Sequence, residues 1–222
     1  MTIKFFNNPE KLWKLVTLMI DGMGTTLSIF FLTLLFSVPL GMLVALGRMS
    51  KRSIIRGPIS VYIYIMRSTP LMLQIMFIYF LLPMVLPFRV DRFWAVIFSF
   101  AINYAAYFAE IYRSGIESIP KGQYEAASVL GYNKSQTFFK IIFPQMVKRV
   151  LPPVTNEVIT LVKDTSLAFV LTYEEMFTVA KQIAAAQTTI MPLFVAGVFY
   201  FVFNAVVAFA MERIEKKLSY YR

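Results

Sequence analysis

Five runs of about twenty mostly apolar residues dominate the chain, at 27–46, 59–82, 93–111, 150–171 and 190–211. A hydrocarbon layer of ~30 Å is crossed by about 20 residues of helix, and only helices or closed barrels satisfy every backbone polar group inside it. With their flanks, the expected spans cover about 21–48, 57–83, 92–116, 147–172 and 188–213. The expected fold class is therefore all-α integral membrane, with five transmembrane helices forming a single domain over 1–222. Polar groups interrupt the third and fourth runs, and such groups are tolerated where they face a cavity instead of lipid. The segment 9–20, with Lys11, Trp13 and Lys14 on an apolar background, is too short to span and reads as a helix lying in the interface. No small-residue cleavage site follows it, so a signal peptide is not expected.

Composition narrows the chemistry. The 222 residues contain no Cys and no His, which removes the usual zinc, haem and iron–sulfur ligand sets, disulfides, and Ser-His-Asp or Cys-His catalysis. The thirteen Met residues have no other soft ligands beside them and read as apolar filling. No metal or cofactor is expected, and no G-x-x-x-x-G-K-[ST] phosphate loop occurs. The net charge of +10 collects at the ends of apolar runs, as membrane topology requires, so no nucleic-acid partner is expected.

That distribution orients the chain. The links after the first and third spans, with the tail, hold fourteen Lys and Arg; the opposite side holds six: Lys4, Lys11, Lys14, Arg89, Arg92 and Lys181. Basic residues accumulate on the cytoplasmic side. The C-terminus is accordingly expected in the cytoplasm and, with five spans, the N-terminus outside.

Five charges fall inside the spans: Arg67, Glu110, Glu157, Lys163 and Asp164. Each costs at least ~2.5 kcal/mol at the bilayer centre unless it meets a partner or water. Asn103, Tyr107 and Glu110 are spaced i, i+4, i+7, and Glu157, Thr160 and Asp164 i, i+3, i+7, so each trio shares one helix face. Pro70 breaks the second span just after Arg67, freeing backbone groups of the kind that line transporter sites. Two readings stay open: the charges pair among themselves, for example Arg67 with Glu110, or they contact a ligand. Three carboxylates against two cations favour a cationic ligand side chain. Arg67 and the amides near Ser68 and Thr69 are candidates for a ligand carboxylate.

About forty residues separate the third and fourth spans, and 117–146 should fold as a cytoplasmic loop. After the break at Pro120, 123–130 reads as a short helix with Glu125 in its first turn and Gly131 as its stop. Ala126, Ala127 and Leu130 form a small apolar face, suited either to packing under the bundle or to docking a partner.

These residues also carry a resemblance. Glu125-Ala126-Ala127, Gly131 and Ile141-Ile142-Phe143-Pro144 resemble the EAA loop of bacterial ABC importer permeases, E-A-A-x3-G-x9-I-x-L-P, with Phe143 in place of Leu. Arg67-Ser68-Thr69-Pro70 with Gln74, Ala106-Tyr107-Phe108-Ala109-Glu110, Lys121-Gly122-Gln123 and Lys163-Asp164-Thr165-Ser166-Leu167 are similar to the polar amino acid uptake branch, the His/Glu/Gln/Arg/opine permeases.

The resemblance implies a type I importer permease fold in the bacterial inner membrane. Its implied partners are a second permease subunit, identical or related, two ATP-binding cassette subunits that bind ATP and Mg, an extracellular or periplasmic amino acid binding protein, and membrane lipid. It assigns ATPase coupling to Gly122, Gln123, Tyr124, Glu125, Ala126, Ala127, Leu130 and Gly131. The candidate substrate contacts are Arg67, Ser68, Thr69, Gln74, Asn103, Tyr107, Glu110, Glu157, Thr160, Lys163 and Asp164. The expected function is ATP-driven import of a polar, basic amino acid (arginine, lysine or histidine). The rival reading is a stand-alone proton-coupled transporter using the buried acids. A membrane-embedded enzyme is disfavoured, since no nucleophile, base and orienting group share a recognisable spacing.

Overall fold

A computed structural model describes residues 9–85 and 90–218. Lys4, Arg89 and Arg222, counted above for orientation, lie outside those residues. Every regular element described is helical: α1 (Pro9–Arg48), α2 (Ser53–Ser68), α3 (Leu71–Met76), a π-helical stretch Phe77–Leu81, α4 (Leu82–Val85), α5 (Arg92–Glu117), α6 (Lys121–Val129), α7 (Lys134–Gln136), a π-helical stretch Thr137–Ile142, α8 (Phe143–Asp164), a 3-10 stretch Thr165–Leu171, α9 (Met176–Ala186) and α10 (Met191–Leu218).

Helix α5 is the axis of the bundle. Phe100, Tyr104 and Phe108 recur every four residues along it and are completely or almost completely buried, one stripe packed against α1 and α8. Asp91 starts α5 by accepting the Phe93 N–H at 2.9 Å. The outer helices invert the soluble pattern: on α10, Phe194, Phe201, Val206 and Phe209 are exposed, as are Phe31, Leu35 and Leu43 on α1. Continuous apolar surface of this kind on long helices suits lipid.

Three helices, within 13–48, 92–117 and 191–218, are long and apolar enough to cross a membrane. A fourth crossing is available as a broken pair, since Ser53–Ser68 and Leu71–Val85 are bent by 113° at the break. Pro70 caps the second leg in extended geometry, with no N–H to continue the ladder. The region expected as the remaining span, about 147–172, is helical through α8 and the 3-10 stretch, but its polar face keeps it out of the apolar set. The segment 9–20 differs from its reading as a separate element: it continues without a break into the first span as α1, because no Gly-Pro or Pro signal separates the two.

The segment between α5 and α8 folds as α6, α7 and a π-helical approach to α8. Gly131, at φ +77°, ends α6 in the left-handed conformation that favours glycine, with Tyr132 N–H bonded to Ala127 O and Gly131 N–H to Ser128 O, both at 3.0 Å. Helix α6 starts at Lys121 with Pro120 as its cap, two residues before the expected start. Glu125 is therefore displaced from the first turn into the second, a correction caused by the extended proline cap.

Candidate functional site

Two adjoining cavities open along α5. One, of about 500 Å³, is lined by Arg67, Tyr107, Glu110, Arg113, Ser114, Ser118, Arg149, Pro153 and Glu157 among others. The second, of about 520 Å³, shares Arg67, Tyr107 and Glu110 and adds Arg48, Ser60, Tyr64 and Ser68. Helix α2 delivers Arg67 from its last turn, beside the break, and its guanidinium lies 5.3 Å from the centre of the Tyr107 ring, a cation–π contact. Glu157 reaches the same cavity from α8. Among the described residues no ion pair engages it.

Glu110 is not paired with Arg67, contrary to the pairing considered from sequence. Arg113, one turn along the same helix, bonds both Glu110 oxygens, with Nε 3.1 Å from Oε2, and also bonds Glu117. The i, i+3 and i, i+4 spacings explain the choice: these three side chains are neighbours on one helix face, whereas Arg67 approaches from another element. Arg113 falls on the flank of the third span, beyond the apolar run that stops at 111, so a count of charges within the runs leaves it out although the helix α5 continues to Glu117.

The remaining expected contacts divide by environment. Gln74 and Asn103 are buried in the joint of the broken pair and do not line either cavity. Gln74 Nε2 donates to Met66 O at 3.0 Å and to Thr69 O at 3.1 Å, and Asn103 Nδ2 also donates to Met66 O, at 3.0 Å. Thr69 caps α2, accepting from Gln74 Nε2 at 2.8 Å. Asp164 accepts a bond from Tyr104 Oη at 2.8 Å, tying α8 to α5. Thr160 is half-buried and Lys163 exposed, neither lining these cavities.

The charge balance expected from sequence changes accordingly. Arg48, Arg67, Arg113 and Arg149 line the two cavities against Glu110 and Glu157, four cations against two carboxylates, so the surplus is basic where an acidic one was counted. The three extra arginines, Arg48, Arg113 and Arg149, sit on the flanks of the expected spans, just outside the apolar runs from which the buried charges are counted.

On α6, Gly122, Gln123, Tyr124, Glu125 and Ala126 are exposed and Ala127 is fully buried. Val129 and Leu130 are 88% and 73% exposed, so the expected apolar face splits: Ala127 seats the helix on the protein, while Leu130 points away with Val129. Burial also lifts the Glu175 carboxyl above the ordinary range. It caps α9, accepting from the Phe177 and Thr178 N–H groups at 2.7 and 2.6 Å and from Tyr200 Oη at 3.0 Å. Sequence reading missed it; an acidic residue just before an apolar helix was the available signal.

An all-helical bundle with apolar outer helices and a charged, water-accessible seam is the architecture of a membrane transporter. Residues 37–220 match the family model of the binding-protein-dependent transport system inner membrane component, and the chain belongs to that family. It is 34% identical to the arginine transport system permease protein ArtQ of Bacillus subtilis (strain 168) over 92% of this chain and 94% of that one. It is 35% identical to the glutamine transport system permease protein GlnP of Escherichia coli (strain K12), over 94% and 96%. A crystal structure of an amino acid ABC transporter with histidines contains a chain that superposes with a TM-score of 0.86 at 30% identity, covering 95% of this chain and 98% of that one. The protein is thus a permease subunit of an amino acid ABC importer, with ATP hydrolysis on a separate subunit.

Proposed function

We propose that the chain crosses the bacterial inner membrane five times, N-terminus outside and C-terminus in the cytoplasm, and forms with a second, identical or related permease the path for a polar, basic amino acid. Two ATPase subunits holding ATP and Mg dock on α6, and an extracellular or periplasmic binding protein delivers the substrate. The observation that carries the substrate reading is that Arg67, held over Tyr107, and Glu157 line one cavity. A free amino acid brings a carboxylate, which a guanidinium binds with charge-assisted bonds. The substrate's basic side chain meets Glu157. The likeness to an arginine permease supports this.

A second reading, a neutral side chain, is favoured by the four cations against two carboxylates and by the likeness to a glutamine permease. Competitive binding of Arg, Lys, His, Gln and Glu to the assembled transporter decides between them. With a basic substrate, Glu157→Gln weakens Arg binding by about 1.5–3 kcal/mol, the range for a charged hydrogen bond, and leaves Gln nearly unchanged. Arg67→Gln weakens every amino acid alike. A wild type that prefers Gln, or a Glu157→Gln variant that binds Arg as before, rejects the basic assignment.

A further inference from the structure

Gln145, Arg149, Pro153 and Glu157 stand at four-residue steps along α8, a spacing that keeps them near one helix face. The two ends of this stripe touch different parts of the protein. Glu157 enters the cavity that holds Arg67 and Tyr107. At the other end, Gln145 Nε2 donates to Gln123 Oε1 of α6 at 3.3 Å. Arg149 Nη1 donates to the Ser118 carbonyl and, at 2.9 Å, to Ser118 Oγ. Ser118 caps the end of α5, two residues before Pro120, where α6 is capped. From Gln145 to Glu157 the helix rises roughly 18 Å.

Between these ends lie Pro152 and Pro153, both inside the helix. Neither has the N–H that would bond the carbonyl four residues earlier, so two successive rungs of the helical ladder are missing there. At the same level α5 and α8 touch: a Cβ added to Gly115 would come 2.2 Å from Val150 Cγ1.

We infer that α8 is a jointed lever, bending at Pro152-Pro153 over the Gly115–Val150 contact, and that Arg149 is a positioning residue clamping its cytoplasmic arm to the root of α6. The inference rests on the importer reading, and it identifies how occupancy of the Glu157 cavity is communicated to the docking helix.

The test uses the transporter assembled with its ATPase subunits and reconstituted in vesicles. Pro152→Ala, at a position that does not line the cavity, restores one rung with the best helix former, so folding is not at risk. Amino acid binding stays at the wild-type level, while stimulation of ATP hydrolysis by substrate falls roughly tenfold, within the range for mutations that act on coupling alone. Arg149→Gln raises the ATP consumed per amino acid moved, and Arg149→Lys, which can still donate to the Ser118 carbonyl, restores the wild-type ratio. A Pro152→Ala variant with wild-type stimulation overturns the lever, as does an Arg149→Gln variant with the wild-type ratio of ATP consumed to amino acid moved. A wild-type assembly that moves no amino acid at all instead overturns the importer reading, and the lever with it.

Discussion

Asn103 donates to Gln74 at 2.9 Å, and this bond joins α5 to the second leg of the broken pair at the point where the chain turns. Together the two amides also occupy the carbonyls of Met66 and Thr69, which the break at Pro70 leaves without helical partners. Gln74→Leu should strand those acceptors and lower stability by about 1–3 kcal/mol. In detergent, both Gln74→Leu and Asn103→Leu should melt earlier, and the double variant should cost less than the sum because the two share partners. Unchanged melting with weakened substrate binding would return both residues to the ligand.

The exposed tip of α6 carries the prediction for coupling. Gly131→Leu places a Cβ at φ +77°, a cost of roughly 1–2 kcal/mol, and redirects the end of the helix. Leu130→Asp puts a charge on its apolar, exposed end. Both should reduce ATP-driven uptake and retention of the ATPase subunit on copurification while leaving substrate binding intact. Glu125→Lys should do the same by reversing charge on this surface.

Much of this was legible in the sequence. The apolar runs gave the helices, and Pro70, Pro120 and Gly131 gave the breaks, because chain-breaking residues act locally. Arg67, Tyr107, Glu110 and Glu157 were legible as candidates since an intramembrane polar group demands a reason. Arg48, Arg113 and Arg149 were not, because hydropathy divides the chain into span and loop, whereas helices run on past the apolar run and carry their terminal arginines into the cavities. Nor does a single helix reveal that Asp164 would meet Tyr104, or that Gln74 would be spent on backbone carbonyls; those pairings depend on how elements from distant parts of the chain pack.

Glu175 provides a test by pH. A carboxyl whose folded value is raised binds its proton more tightly when folded. Its contribution is therefore fully present below the unfolded value, near 4.3, and is lost as pH rises through the folded value. The thermal midpoint of the detergent-solubilised protein should fall over that window in the wild type. Glu175→Gln should flatten that part of the profile. A wild-type profile that rises there, or a variant with the same slope, would contradict the assignment.

Orientation is open to a direct chemical check, helped by the absence of Cys from the chain. A single Cys at position 181 should react with an impermeant thiol reagent on intact cells, and one at position 134 should not. The reverse pattern would invert the topology.

The central claim is that this chain moves a polar amino acid only when a separate ATPase drives it, and uptake into vesicles containing the full assembly measures that directly. Radiolabelled amino acid should accumulate with ATP on the ATPase side and the binding protein on the other. Accumulation should cease when ATP is omitted and persist when the proton gradient is collapsed. Accumulation that needs the proton gradient and no ATP would contradict the account.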